Sequence, residues 1–171
     1  INILSEDIGI GLRHITVSTS GVAHRIEELG DLNLQITLAL SLHDPTDADR
    51  DFLVPINKKW PVFEVIEAMK GYYRKTNRRV TIEYVMLKDR NDSDEKAALL
   101  GHLVKDLHCN INLIPYNTTD VNDPFQRPTN SRIKDFKNVL MKTSFNKTVT
   151  IRKELGHDIN AACGQLANKH S

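Results

Sequence analysis

Leu34-Gln35-Ile36-Thr37-Leu38-Ala39-Leu40-Ser41-Leu42 is nearly continuous in apolar residues and then breaks into His43-Asp44-Pro45. A short apolar run bounded by turn residues reads as a strand covered on both faces, the pattern of a parallel sheet. The same punctuation recurs on either side of it. Residues 13–18, rich in β-branched side chains, read as a strand that ends in Ser18-Thr19-Ser20-Gly21. Residues 22–29 read as a short amphipathic helix stopped by Gly30.

Downstream, a loop with Pro45 and Val54-Pro55-Ile56-Asn57 leads to Pro61, placed to open a long helix at its first position. Val62, Ile66, Met69 and Tyr73 give that helix one apolar face. Residues 80–87 form a third strand. Asp92, three residues before Glu95, resembles a capping box for a helix carrying Leu99, Leu100, Leu103 and Leu107. Residues 109–116 are a fourth strand ending at Asn117. A polar loop then precedes a helix with Ile133, Phe136, Val139 and Leu140 inward, and residues 148–155 are a fifth strand. Residues 1–12 carry no clear pattern beyond a turn near Asp7 to Gly11. Strand and helix alternate four times, which predicts an α/β fold with a parallel sheet.

The 171 residues are enough for one domain with a proper core, and 40% hydrophobic with 26% charged residues is a globular composition. A net charge of +1 gives no global steering toward nucleic acid or membrane, so any such attraction is local. No apolar run reaches the length of a membrane span, and no signal peptide is expected. The two cysteines, Cys109 and Cys163, are far apart and fit neither a zinc motif nor a disulfide framework, which points to a reducing, cytoplasmic setting. An opening Ile1 without methionine suggests a piece of something larger.

Three predicted strands finish in polar groups: Ser18, Ser41 with His43, and Asn117. Ligands bind at the carboxyl ends of strands in barrels and open parallel sheets, so these residues are expected to gather at one mouth. Each also has a plainer explanation. Ser18 and Ser20 are placed to cap the following helix. Asn117 is by default a turn residue. His43 is open to ligand contact, general base and satisfied core histidine alike. Cys163 sits in Gly156-His157-Asp158-Ile159-Asn160-Ala161-Ala162-Cys163-Gly164-Gln165-Leu166, where small neighbours leave room for a bulky group near the thiol. His157 and Asp158 invite a nucleophile reading, but such triads are assembled in space, and Asp158 also suits an N-cap. The basic residues Lys58, Lys59, Arg74, Lys75, Arg78, Arg79, Arg152 and Lys153 lack the interleaved aromatics of a stacking platform in sequence.

Taken together, these stretches resemble the radical S-adenosylmethionine (SAM) RNA methyltransferases of the RlmN/Cfr type. The matching residues are Ser18-Thr19-Ser20-Gly21, Ser41-Leu42-His43, Val54-Pro55-Ile56-Asn57, Glu83-Tyr84-Val85-Met86-Leu87 and Asn91-Asp92-Ser93. Asn112-Leu113-Ile114-Pro115-Tyr116-Asn117, Val149-Thr150-Ile151-Arg152 and the segment from Asp158 to Leu166 complete the match, in unbroken order. Asp44, Asp89-Arg90 and Thr118 depart from the commonest family residues, all in loops.

The resemblance implies a partial TIM-type (β/α)6 radical SAM barrel: four C-terminal β/α units over residues 1–146, with a terminal strand and cysteine segment over 147–171. It implies that Ser18, Ser41, Leu42, His43 and Asn117 hold SAM. It also implies that Cys163 carries the methyl group as S-methylcysteine, and that a second cysteine later forms a disulfide with it, reopened by an external reductant. The implied reaction is methylation of C2 of an adenine in 23S rRNA, extending in some members to tRNA. The alternatives are C8 methylation of the Cfr type, a non-catalytic RNA-binding module and a cysteine hydrolase. The family's 4Fe-4S cluster motif, Cys-x3-Cys-x2-Cys, is not in this sequence, nor are the Gly-Glu-Pro motif and the resolving cysteine. This chain is therefore expected to bind no cluster and to be inactive alone, with its open barrel edge near Ile15 to Val17 covered by self-association with another copy or by a rearranged segment.

Overall fold

The computed structural model describes residues 1, 6–117 and 123–152. A 3-10 turn, Leu12–His14, leads into β1 (Thr16–Thr19), α1 (Ala23–Asp31), β2 (Thr37–Ser41), α2 (Asp47–Leu53) and a second 3-10 turn, Pro55–Lys58. Then follow α3 (Val62–Thr76), β3 (Val80–Met86), α4 (Asp94–Leu103), β4 (Cys109–Pro115), α5 (Asn130–Thr143) and β5 (Thr148–Ile151). All five strands are parallel, in the spatial order β1-β2-β3-β4-β5.

Strand order follows chain order and never reverses. Right-handed crossovers then place α1, α3, α4 and α5 on the same face of the sheet, which is barrel winding rather than the two-sided winding of an open sheet. Burial agrees. Val80, Ile82, Tyr84 and Met86 of β3 and Cys109, Ile111, Leu113 and Pro115 of β4 are buried, while the residues between them are only partly so. The buried set packs with Ile26 of α1, Val65, Ile66, Met69 and Tyr72 of α3, Leu100 of α4, and Ile133, Phe136 and Leu140 of α5. The sheet is thus one wall of a TIM-type barrel, with helices outside and a concave face inside. Among the described residues, coverage on both faces holds only for Leu38 to Leu40 of β2.

Several local expectations are corrected. The loop after β2 contains α2, whose single buried residue is Arg50 rather than an apolar side chain. Pro61 is the N-cap of α3, one position earlier than expected. Ser93, not Asp92, caps α4, its hydroxyl accepting from the Lys96 N–H at 3.2 Å. Tyr72 replaces Tyr73 on the buried face of α3, Leu99 is exposed, and α1 runs through Gly30 to Asp31. Ser18 and Ser20 cap nothing: α1 begins after Val22 with no side-chain cap.

Candidate functional site

The carboxyl ends of β1 and β2 are tied together by one buried cation. Arg50 donates from Nε to the Leu42 carbonyl at 3.0 Å, and from Nη2 to the Ser20 and Ser41 carbonyls at 2.7 and 3.3 Å. Its Nη1 donates to Asn57 Oδ1 at 2.7 Å. Asn57 in turn donates to Asp47 Oδ1 at 2.9 Å and Asp51 Oδ1 at 2.7 Å. Burial lowers the Arg50 pKa while Asp47 and Asp51 oppose that shift, so the guanidinium stays charged. Gly21 makes the close approach possible: its φ is +102°, and a Cβ there would lie 3.0 Å from Val65 and 3.2 Å from Arg50 Nη2.

His43 follows directly in a turn closed by the Asp44 N–H on the Leu42 carbonyl at 2.8 Å, with its own φ at +61°. A non-glycine residue in this region is strained and persists only where its surroundings hold it. Asn91 provides that hold. Its Nδ2 donates to the carbonyls of His43 and Val85, both at 2.7 Å, and its Oδ1 accepts from the Leu87 N–H at 2.7 Å. The Asn91 carbonyl accepts from the Tyr84 hydroxyl at 2.7 Å.

The His43 ring is oriented as well. Its Nδ1 accepts from the Val85 N–H at 3.2 Å. Burial, helped by the Arg50 charge, lowers its pKa to about 4. A neutral imidazole accepting at Nδ1 carries its proton on Nε2. His43 therefore offers one hydrogen-bond donor to a ligand and has no free lone pair for general-base chemistry. Of the three roles left open by sequence, this geometry favours ligand contact.

The concave face adds a polar row. Register places Ser41 beside Glu83, Glu83 beside Asn112 and Asn112 beside Thr150. Asn112 Nδ2 donates to Glu83 Oε2 at 3.0 Å, and the Thr150 hydroxyl donates to Asn112 Oδ1 at 3.1 Å. Ser18 is exposed in β1, opposite Ala39 in register. Asn117 is half-buried just past β4. The side chain of Leu42 is fully buried in the core. Ser18, Ser41, His43 and Asn117 thus lie toward the carboxyl ends of three parallel strands. Cys163, His157, Asp158 and Thr118 lie outside the described residues.

Asp44 is fully buried, and its Oδ1 receives Lys96 Nζ at 2.8 Å. Lys96 also donates to Asp49 Oδ2 at 2.6 Å and the Thr46 hydroxyl at 2.8 Å, joining α4 to the β2 end. Burial alone would lower the Lys96 pKa, but the bonds to Asp44 and Asp49 outweigh it and the net shift is upward.

The described residues contain no group of three or more His, Cys, Asp or Glu that could hold a metal ion. Cys109 is a buried free thiol at the start of β4, and burial pushes its pKa up to about 12. Among the described residues no helix is long and apolar enough to cross a membrane. Arg50, Asn91 and Glu83 were not identified from sequence as site residues. For Arg50 the available signal was a lone arginine set between Asp47, Asp49 and Asp51 in a stretch without apolar periodicity, while Glu83 and Asn91 each open a motif of the resemblance.

Comparison with known proteins agrees with this architecture. No family model matches the chain. It is 47% identical over 163 residues to a probable dual-specificity RNA methyltransferase RlmN from Clostridium tetani, covering 95% of this chain and 46% of that protein. The corresponding protein of Alkaliphilus oremlandii is 44% identical over 172 residues, covering 99% of this chain and 49% of its own. The chain therefore spans about half the length of the curated relatives it matches. A radical SAM methyltransferase from Sphaerobacter thermophilus superposes with a TM-score of 0.89 at 44% identity, covering 95% of this chain and 48% of that one. A domain of pyruvate-formate lyase-activating enzyme from Bacteroides vulgatus shares the fold alone, with a TM-score of 0.61 at 14% identity over 81% of this chain and 80% of that one. With a barrel wall of this winding and identity of this level along nearly its whole length, the chain is similar to about half of an RlmN-type radical SAM methyltransferase.

Proposed function

We propose that, within a longer cytoplasmic protein, this chain grips SAM and carries the methyl-relaying cysteine of an enzyme that methylates C2 of an adenine in 23S rRNA, and an adenine in tRNA. The observation that carries the reading is the oriented strand end at His43: a neutral ring with one donor left over, on a turn held by Asn91 and Arg50. The donor set suits SAM. The hydroxyls of Ser18 and Ser41, the His43 Nε2–H and the Asn117 amide match a ligand with a ribose, an adenine and an amino-acid end. The Glu83 carboxylate on the same face suits its positive charge. A 4Fe-4S cluster does not fit the residues of this chain, which lacks the three-cysteine motif, so its ligands are assigned to the remainder of the protein.

When bound, SAM supplies the methyl group. Cys163 accepts it on Sγ, which requires the thiolate. Ala161, Ala162 and Gly164 leave that sulfur approachable from more than one side. A second SAM, cleaved at the cluster held by the rest of the protein, would supply the hydrogen-abstracting oxidant that lets the Cys163 methyl carbon bond the adenine. A second cysteine outside this chain would then displace that carbon from Cys163 Sγ, leaving a disulfide for an external reductant.

The test uses the full-length protein with its cluster reconstituted, SAM, and a 23S rRNA fragment. Methylation at adenine C2, read by mass spectrometry of digested RNA, is the expected result, and Cys163→Ala abolishes it. A C8 product would move the assignment to the Cfr type. Retained RNA affinity without turnover in the unsubstituted protein would make it a binding module, and SAM-independent hydrolysis would make it a cysteine hydrolase.

A further inference from the structure

One feature at the carboxyl ends of the strands is not used by the SAM-facing residues. Phe52, near the end of α2, is 61% exposed. The Arg90 guanidinium stands over its ring, with Cζ 4.1 Å from the centroid. Phe125, from the segment before α5, meets Phe52 edge-on at 6.4 Å and 76°. The same Phe125 ring meets Tyr116 edge-on at 6.0 Å and 78°. Four side chains from three separate connections thus form a continuous track, ending one residue before Asn117.

The track is braced. The Lys88 N–H donates to the Gln126 carbonyl at 2.8 Å, and Lys88 Nζ to Gln126 Oε1 at 3.3 Å. Asp123 accepts the Phe125 N–H at 2.9 Å and the Tyr116 hydroxyl at 2.5 Å. A shallow depression beside it is lined by Lys88, Arg90 and Arg132 together with Asp89 and Asp92. Arg132 is engaged by Asp94 and Lys88 by Asp89 at 4.0 Å, so Arg90 is the cation set to meet a phosphate.

A single exposed phenylalanine asks for no explanation. Rings in series with a stacked guanidinium are a different matter. Unpaired bases stack on aromatic faces and guanidinium planes regardless of their identity, and nearby cations favour a polyanion over an apolar peptide. The position adds to this. A base that reacts inside a barrel must leave its own stack, which strips its neighbour of a stacking partner.

We propose that the Arg90–Phe52–Phe125–Tyr116 track receives an unpaired RNA nucleotide flanking the target adenine, and holds the strand at the barrel mouth while the target base enters. The proposal rests on the RNA reading above. It is tested in the full-length protein with Phe52→Ala, Phe52→Trp and Arg90→Ala, measuring the Kd for an RNA stem-loop carrying the target, the Kd for SAM, and the thermal melt. Phe52→Ala weakens RNA binding roughly 5- to 150-fold, the range of one lost base–aromatic stack. Phe52→Trp retains wild-type affinity, Arg90→Ala weakens binding and flattens its salt dependence, and SAM affinity and melting are unchanged in all three. Wild-type RNA affinity in Phe52→Ala, or a loss that tracks a lowered melting temperature, overturns the proposal. If the unsubstituted protein methylates RNA while Phe52→Ala binds it normally, only the track is wrong. If the unsubstituted protein binds no RNA, the RNA reading falls and the track with it.

Discussion

His43 shows how much of a side chain's chemistry is decided by its neighbours. In sequence it is a histidine after a strand. In the fold, its acceptor nitrogen is taken by the Val85 N–H and its pKa is lowered to about 4 by burial and by Arg50. The unfolded chain, with an ordinary histidine value of 6.5, binds a proton that the folded chain refuses between about pH 6.5 and 4. The His43 contribution to stability is therefore fully present above about pH 6.5 and is lost as the pH falls through that window. Chemical denaturation at pH 7 and pH 4.5 should show this loss, and His43→Gln should flatten it. An unchanged slope in the variant would assign the loss to another group. The position was legible from Ser41-Leu42-His43 on a strand end. The tautomer was not, because Val85 is 42 residues away.

The strand-to-helix connection after β2 was the least legible element. Asp47–Leu53 has no apolar stripe because its inward anchor is Arg50, and a periodicity argument looks for hydrophobic residues. The pairing of Arg50 with carbonyls of β1 and β2 makes α2 part of the site's support rather than a linker. Arg50→Met leaves the carbonyls of Ser20 and Leu42 without their buried donor and should cost about 2–4 kcal/mol in chemical denaturation. Its effect on SAM affinity in the full-length protein should exceed that of Leu100→Ala, a core truncation on α4, at matched stability. Equal effects would reduce Arg50 to a packing residue. The other misplacements, Pro61 and Ser93, are shifts of one position in how a helix end is satisfied, which local sequence constrains weakly.

At the level of the whole chain, uniform winding puts the helices on one side and leaves a concave face carrying Ser41, Glu83, Asn112 and Thr150. β1 and β5 are the edges of the described sheet, each paired on one side. Among the described residues the wall offers no alternative cluster site, and Cys109 is buried with its thiol pushed up to about 12. Iron and sulfide added to the 171-residue chain alone should give no stoichiometric cluster absorbance. Iodoacetamide at neutral pH should spare Cys109 until the chain is unfolded. A cluster on this chain would overturn the assignment of its ligands to the rest of the protein.

The alternation of apolar runs with turn residues was enough, by itself, to determine the α/β class, the five parallel strands and the gathering of polar residues at their carboxyl ends. These follow from local patterning, since each strand and helix carries its own period. The motifs were enough to point to RlmN-type radical SAM methyltransferases as the proteins the chain is similar to. Only the tertiary structure decided that β2 alone is covered on both faces, that a buried arginine joins two strand ends, and that His43 is a donor. It also decided that Phe52, Arg90, Tyr116 and Phe125 meet, which sequence spacing had concealed. The reason is common to all four: each depends on groups brought together by the winding of the sheet, and separation along the chain says nothing about that distance.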